Sequence, residues 1–318
     1  MRKLIIPTLV VTLMLAGCAP VATLPAATAA PAQVQLQTMG SETYTDGLGR
    51  QVTLAKPAQR IVSLAPSNTE ILFAIGAGSQ VVGRDSFSDY PAEAKNVPDI
   101  GGSLGTLNPE VILAQRPDLV LAAPITAPEQ IASLAKAGLT VYVLPNPKTY
   151  DDLYANLETA GKLTGHESEA ASLIASLKAR VEAVTSKVAN VTTRPVVYYE
   201  LDATDPSAPY TSGPGTFVNL VIQDAGGTNF GANLNGDYVQ VSIEQLLAHQ
   251  PDILLLGDSL YGGITADMVR ARAGWDALQA VKDARIFPFD DNLVSRPGPR
   301  LVDGLETMAK LLHPELFP

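Results

Sequence analysis

Two twelve-residue stretches lie 134 positions apart and nearly coincide, and no other feature constrains the fold of this chain as much. The first is Glu110-Val-Ile-Leu-Ala-Gln-Arg-Pro-Asp-Leu-Val-Leu121 and the second is Glu244-Gln-Leu-Leu-Ala-His-Gln-Pro-Asp-Ile-Leu-Leu255; six of the twelve positions are identical. Each opens at a polar cap with an acid just inside (Asn108-Pro109-Glu110; Ser242-Ile243-Glu244), which predicts a short amphipathic helix. Pro117 or Pro251 stops that helix, because proline has no amide to continue it. An Asp follows, then an apolar run (119–123; 253–256) of the kind found in strands buried on both faces of a parallel sheet. The offset is too long for a solenoid unit and predicts two similar lobes.

The flanking sequence repeats the same order. Tyr44 to Leu54 predicts a hairpin turning at Asp46-Gly47. Arg60 to Ala65 predicts a buried strand, and Pro66 to Glu70 is expected to cap a helix through Ile75 that Gly76 and Gly78 close. Val81–Gly83 is a short strand, and Pro128–Ala137 and Thr140–Leu144 are a helix and a strand. In the second half, 195–200 predicts a strand, Tyr210 to Thr216 a Gly-rich loop, and Phe217–Gln223 a helix ended by Gly226-Gly227. Trp275–Ala280, 285–289 and the residues after Pro299 supply a short helix, a last strand and a closing helix. Alternation of strand and helix specifies an α/β fold with parallel sheets. Between the halves, Glu167 to Asn190 contains no Gly or Pro and places apolar residues three or four apart, from Ala170 to Val188. One long helix is expected to join the lobes.

At the amino end, Arg2 and Lys3 precede a mostly apolar run, and Leu15-Ala16-Gly17 places small residues before Cys18, the chain's one cysteine. This predicts a signal peptide over 1–17 and resembles a bacterial lipoprotein signal, with Cys18 becoming the lipid-bearing first residue. The apolar run is shorter than the roughly 20 residues a membrane span needs, and one cysteine excludes an internal disulfide. Residues 19–41 carry no charge; 18–41 is expected to be a lipidated, disordered tether reaching on the order of 70 Å when extended. Without Arg2 and Lys3 the chain has 20 Lys+Arg against 32 Asp+Glu, a formal charge of −12. That balance excludes a nucleic-acid partner, whose phosphates require a basic footprint.

Arg60-Ile-Val-Ser-Leu-Ala-Pro-Ser-Asn-Thr-Glu70, the paired Pro-Asp stretches and Ser295-Arg-Pro-Gly-Pro-Arg300 together resemble the substrate-binding lipoproteins of ABC importers for iron complexes and vitamin B12. The resemblance covers residues 58–318. It implies the class III arrangement of such proteins: an N-terminal lobe (42–165, with the leading hairpin) and a C-terminal lobe (191–318), joined by one rigid helix over 166–190. It implies capture of an iron-siderophore, haem or cobalamin-type ligand between the lobes by a monomer outside the cytoplasm, held to the membrane through its N-terminal lipid. Delivery is to an ABC permease dimer with a cytoplasmic ATPase. No cofactor of its own is implied; any iron or cobalt belongs to the ligand. By the same resemblance Glu110 and Glu244 dock on permease arginines. The helix dipole alone favours an acid there by about 0.3–1 kcal/mol, but its recurrence in both repeats suits two-point docking.

Open α/β sheets hold ligands beyond the carboxyl ends of their strands. The loops expected there offer Ser67, Asn68, Arg84, Ser86, Phe87, Ser103, Tyr210, Ser212, Tyr238, Tyr261 and Arg296. Tyrosines give a large chelate both packing surface and a polar handle, and Arg84 or Arg296 suits a carboxylate or phosphate. Tyr198 and Tyr199 lie within a strand and belong to the core, and Arg300 opens the last helix. Cobalamin-binding members of the family place tryptophans around the corrin; residues 101–105 and 122–125 have none, and Trp275 is expected to pack a helix. Haem binders supply Tyr or His to iron, a role open to Tyr210 or Tyr261. Three alternatives stand beside this reading. A bare zinc or manganese receptor needs clustered histidines, whereas His166, His249 and His313 fall outside the strand-end loops. An enzyme lacks a Gly-x-Ser-x-Gly elbow or phosphate loop, and no catalytic residue is assigned. The third is a ligand-sensing lipoprotein without a permease.

Overall fold

The computed structural model describes residues 41–102 and 107–318; the expected signal peptide, Cys18, the tether up to residue 40 and Ser103 lie outside the described residues. The described residues form one compact unit. Its first element is an antiparallel hairpin, β1 (Glu42–Thr45) and β2 (Gln51–Leu54), with Thr45 opposite Gln51. Asp46 makes the turn: its carboxylate accepts the amides of Leu48 at 3.0 Å and Arg50 at 2.9 Å and grips the Arg50 guanidinium at 2.6 Å.

The N-terminal sheet consists of β3 (Ile61–Ser63), β4 (Val81–Arg84), β5 (Leu119–Ala122) and β6 (Val141–Val143), all parallel in the order β4-β3-β5-β6. Helices α1 (Pro66–Ala74), α2 (Pro109–Ala114) and α3 (Pro128–Lys136) connect them. The start of α1 differs from expectation. Its N-cap is Ala65, which offers no side-chain oxygen, and Ser67, Asn68, Thr69 and Glu70 are buried within the helix rather than capping it. Two further helices follow: α4 (Tyr150–Thr164), which the periodicity does not anticipate, and α5 (Glu167–Val188). Thr149 and Asp152 form a capping box at the start of α4. The two helices cross so closely that a Cβ on Gly161 would stand 2.8 Å from that of Ala170.

The C-terminal lobe repeats this plan with additions. Its sheet runs β10-β8-β7-β11-β12, with β9 also paired to β7. Strands β7 (Val196–Asp202), β9 (Thr228–Asn229), β11 (Ile253–Leu256) and β12 (Ile286–Pro288) are parallel, whereas β8 (Tyr210–Ser212) and β10 (Tyr238–Gln240) run antiparallel. Tyr210 to Ser212, expected in a loop, is therefore a strand. Gly213 lies so close to the Gly236 carbonyl that any side chain would collide with it. The helices are α6 (Phe217–Asp224), α7 (Ile243–His249), α8 (Ala266–Arg270), α9 (Gln279–Lys282), α10 (Asn292–Ser295) and α11 (Leu301–Leu312).

The repeated Pro-Asp stretches have one structural job in both lobes. Arg116 and Gln250, the residues before the prolines, both adopt the left-handed conformation, with φ of 49° and 43°. That kink turns the chain from α2 into β5 and from α7 into β11. The Asp118 carboxylate then accepts the amides of Gln59 at 2.8 Å and Arg60 at 2.9 Å, and Asp252 accepts the amide of Val196 at 2.7 Å. Each Asp thus satisfies exposed donors just before or at the start of the central strand beside it, β3 or β7.

Linking helix α5 has 22 residues, about 33 Å long at 1.5 Å per residue, and ends at Val188, two residues short of the expected stretch. Ala170, Leu177 and Val184 bury its inner face in one apolar cluster that includes Ile61 and Leu121 from one lobe and Tyr199, Leu255 and Leu305 from the other. The lobes therefore share a continuous spine. Arg180 reinforces it by pairing with Asp303 at 2.6 Å and Glu306 at 2.8 Å on α11. Each sheet's other face has its own core, around Ile112 in the first lobe and around Leu246 and Trp275 in the second.

Candidate functional site

Large exposed apolar side chains gather at the carboxyl ends of both sheets. After β4 stand Phe87 and Tyr90, at 50% and 46% exposure, and after β5 stands Ile125 at 54%. The C-terminal lobe contributes Tyr210 on β8, Tyr238 on β10, and Leu260 and Tyr261 on the loop after β11; the last three exceed half exposure. Seven solvated apolar groups on two rims are what a cleft for a bulky, flat ligand requires.

In the second lobe strand pairing decides the geometry. Tyr238 lies opposite Ser212 and Gln240 opposite Tyr210 across β10 and β8, so the four side chains share one face. Ser212 is buried on that face and its hydroxyl has no partner. Tyr261 is steadied by a hydrogen bond from its hydroxyl to the Leu201 carbonyl. Burial, then Asp291 and other nearby carboxylates, pushes the Tyr261 phenol well up from its ordinary range. Tyr238 moves the same way through burial and then Asp237 and Asp291. Tyr198 and Tyr199 are wholly buried, on opposite faces of β7; Tyr199 donates to Asp291 at 2.7 Å, and Tyr198 packs edge-on against Trp275.

The remaining expected residues are engaged within the protein. Arg84 donates to the carbonyls of Ala94 at 3.0 Å and Asp85 at 2.9 Å and lies 3.7 Å from Asp99. Its guanidinium is committed to the first lobe rather than offered to a ligand. Asn68 is buried and donates to the Leu121 carbonyl at 3.1 Å, Ser67 is buried, and Ser86 donates to Asp99 at 3.0 Å.

Arg296 meets carboxylates of the opposite lobe. Its Nη1 lies 2.6 Å from Asp89 and 3.4 Å from Glu70. Arg300 holds Glu70 through two bonds, Nε at 2.8 Å and Nη2 at 2.5 Å, and lies 4.0 Å over the Tyr90 ring. Glu70 is 2% exposed, so this is a buried junction where the two rims meet. Glu70 and Arg300 end the two motifs that carry the sequence resemblance, yet the sequence alone does not reveal that they pair. A single charged residue in the middle of a helix, with no partner three or four positions away, is the signal that points to Glu70.

A second buried cluster lies behind the second rim. Arg272 binds Glu200 through Nη1 at 2.5 Å and Nη2 at 2.8 Å, with Glu200 fully buried. Beside them Asp258 opens the segment leading to Leu260 and Tyr261. Its Oδ2 accepts the Ala203 amide at 3.0 Å and its Oδ1 has no partner. Burial, and then the Glu200 charge, pushes Asp258 up to about 7. Among the described residues no three His, Cys, Asp or Glu side chains converge as a metal site.

Glu110 and Glu244 are exposed and occupy the same position, the second residue of α2 and of α7. Both helices turn back within a few residues into β5 and β11, which sets their acidic starts toward the same end of the sheets as the aromatic rims.

The sequence pattern described as periplasmic binding protein matches residues 61–293. An ABC transporter substrate-binding lipoprotein of Bacillus subtilis, YvrC, is 33% identical over 280 residues, covering 86% of each chain. A vitamin B12-binding protein of Vibrio cholerae is 31% identical over 263 residues, covering 81% of this chain and 91% of that one. The solved structure of the periplasmic heme-binding protein RhuT from Roseiflexus superposes with a TM-score of 0.73 at 29% identity, covering 81% of this chain and 99% of that one.

Proposed function

The chain belongs to the periplasmic binding protein family, and from that premise we propose that it captures a flat metal-centred ligand between its aromatic rims and hands it to an ABC permease. The observation that carries the reading is the concentration of exposed Phe, Tyr, Leu and Ile side chains on strand-end loops of both lobes. A macrocycle or ferric chelate entering between them gains roughly 25 cal/mol for each Å² of apolar surface withdrawn from water. Iron or cobalt in the ligand is cargo and arrives already coordinated. The shared spine along α5 holds the lobes in one frame, so capture relies on small adjustments of the rims rather than on a wide hinge.

Glu110 and Glu244 form the docking pair, each exposed on the surface at the start of its helix, for arginines of a two-fold permease. Cys18 carries the lipid that keeps the protein beside that permease, and among the described residues no helix is long and apolar enough to cross a membrane. Titration calorimetry of the full-length protein in detergent, with cyanocobalamin, haem and a ferric hydroxamate, tests the capture reading. Saturable 1:1 binding of at least one is expected, and binding of none overturns it. The docking reading predicts that Glu110→Ala with Glu244→Ala abolishes uptake by reconstituted permease while ligand affinity stays within threefold. Equal loss of both contradicts it.

A further inference from the structure

We infer that the C-terminal rim selects for ligands that present hydrogen-bond donors, such as carboxamides, and against ligands that present carboxylates. The inference rests on the capture reading and sharpens it to a chemical class: a corrinoid, whose periphery carries amides, over a haem, whose periphery carries two propionates.

Charge distribution is the first observation. Residues 195–269 contain nine Asp and Glu and no Lys or Arg. The carboxyl ends of β7, β11 and β12 deliver Asp202, Asp258, Asp290 and Asp291 to one side of the site. Two arginines approach this side and both are neutralised, Arg272 by buried Glu200 and Arg296 by Asp89 and Glu70 across the junction. On the opposite rim Arg84 is tied to two carbonyls and lies near Asp99, and Lys95 stands near Asp89. An arriving carboxylate therefore meets no uncommitted guanidinium among the described residues, and the acids on this side, Asp202 and Asp290 foremost, oppose its charge.

Unpartnered polar atoms are the second observation. Asp258 Oδ1 and the Ser212 hydroxyl are buried without partners, in side chains at 1% and 0% exposure. Ser212 shares its face with Tyr210 and Tyr238, and Asp258 anchors the segment bearing Tyr261. A buried polar atom left unsatisfied costs about 1–3 kcal/mol, and a carboxamide, which both donates and accepts, can satisfy either atom directly or through a water it orders.

A matched pair of ligands tests this. Cyanocobalamin and its monocarboxylate, in which one peripheral carboxamide is hydrolysed, share metal, ring and size and differ by one charge. Calorimetry on the full-length protein at low ionic strength is expected to show the amide binding about tenfold more tightly, with the ratio falling at high salt. In Asp202→Asn with Asp290→Asn, the monocarboxylate is expected to gain, so that the ratio drops below about threefold. Equal affinities in the unaltered protein, an unchanged ratio in the variant, or haem binding tighter than cyanocobalamin overturns the inference and leaves the capture reading standing. If cyanocobalamin, its monocarboxylate, haem and a ferric hydroxamate all fail to bind, the capture reading falls and the inference falls with it.

Discussion

The two lobes are built on one frame and differ in what they do with charge. The first has a purely parallel four-stranded sheet, and its perturbed carboxylates, Asp46, Asp89 and Asp99 among them, are held below the ordinary range by arginines and amides. In the second, antiparallel β8 and β10 widen the sheet, and burial pushes Asp224, Asp258 and Asp291 upward. One lobe holds its acids with compensating partners; the other leaves Asp258 and Asp291 dominated by burial near Tyr261. On the inference drawn above, the difference assigns ligand selection to the second lobe and structural bracing to the first.

Removing the buried arginines or acids breaks this comparison most severely. Arg272→Ala leaves Glu200 fully buried without its bidentate partner and beside Asp258, so a loss of about 3–5 kcal/mol is expected in urea unfolding. Glu70→Ala frees two arginines instead, but Arg296 retains Asp89 and both guanidinium groups reach some water. Its loss is expected near the low end, about 3 kcal/mol. If Glu70→Ala proves the costlier, the junction between the lobes, and not the core of the second lobe, is the critical charged site.

The aromatic rims sharpen the same contrast at about half that energy. Tyr238→Ala and Tyr261→Ala are each expected to weaken ligand binding tenfold to a hundredfold, about 1.4–2.8 kcal/mol by calorimetry. Phe87→Ala is expected to cost less. Tyr261 is already ordered by its bond to Leu201, so less side-chain freedom is lost when ligand arrives. A larger effect at Phe87 would move the selective surface to the first lobe.

The repeat made the lobes legible from sequence, because Pro after a short helix and Asp before an apolar run each have one local physical consequence. The linking helix was legible for the same reason, since its 3.6-residue period lies within one segment. What escaped depends on distance along the chain. Glu70 and Arg300 are separated by 230 positions, and only the folded junction brings them together. Arg84 illustrates the converse error: a cation at a strand end suits a ligand until the carbonyls of Asp85 and Ala94 claim it. Tyr210 and Ser212 read as loop in sequence and stand on a strand in the structure, because three residues are too few to show alternation. The start of α1 departs from its sequence signal: Ser, Asn and Thr favour caps in isolation, yet here burial places them inside.

The opposed carboxylate shifts predict opposite pH responses. Asp258 has its folded value raised from near 4 to about 7, so folding takes up a proton between those values. The stabilisation this group contributes is complete below about pH 4 and is lost as pH rises through 7. Asp258→Asn keeps the neutral form and should abolish that slope. A shift of this size sets a ceiling of about 4 kcal/mol, and relaxation of the surrounding cluster reduces the expected difference to about 1–2 kcal/mol between pH 4.5 and 8, read from paired unfolding curves. Asp46 has the reverse sign: its value is lowered, burial being outweighed by Arg50 and the turn amides, so its contribution is present above about pH 4 and lost on acidification. Asp46→Asn should therefore show its deficit at neutral pH, where Asp258→Asn shows its gain.

The smallest expected difference lies in the repeat itself. Helix α7 begins with a complete capping box, in which Ser242 accepts the Gln245 amide at 3.4 Å and Gln245 returns an oxygen to the Ser242 amide at 2.9 Å. Helix α2 has the N-cap half: Asn108 accepts the Glu110 amide at 2.9 Å, and the residue aligned with Gln245 is Val111, which has no oxygen to return. Ser242→Ala and Asn108→Ala are each expected to lower stability by about 1 kcal/mol. Gln245→Ala should cost about 0.5 kcal/mol, because one amide at the helix start then turns to water. Val111→Ala removes an exposed side chain and should stay within about 0.5 kcal/mol of neutral. Equal losses at Gln245 and Val111 in denaturant titrations would mean that the two helix starts, despite their different caps, are held by packing of Ile112 and Leu246 beneath them.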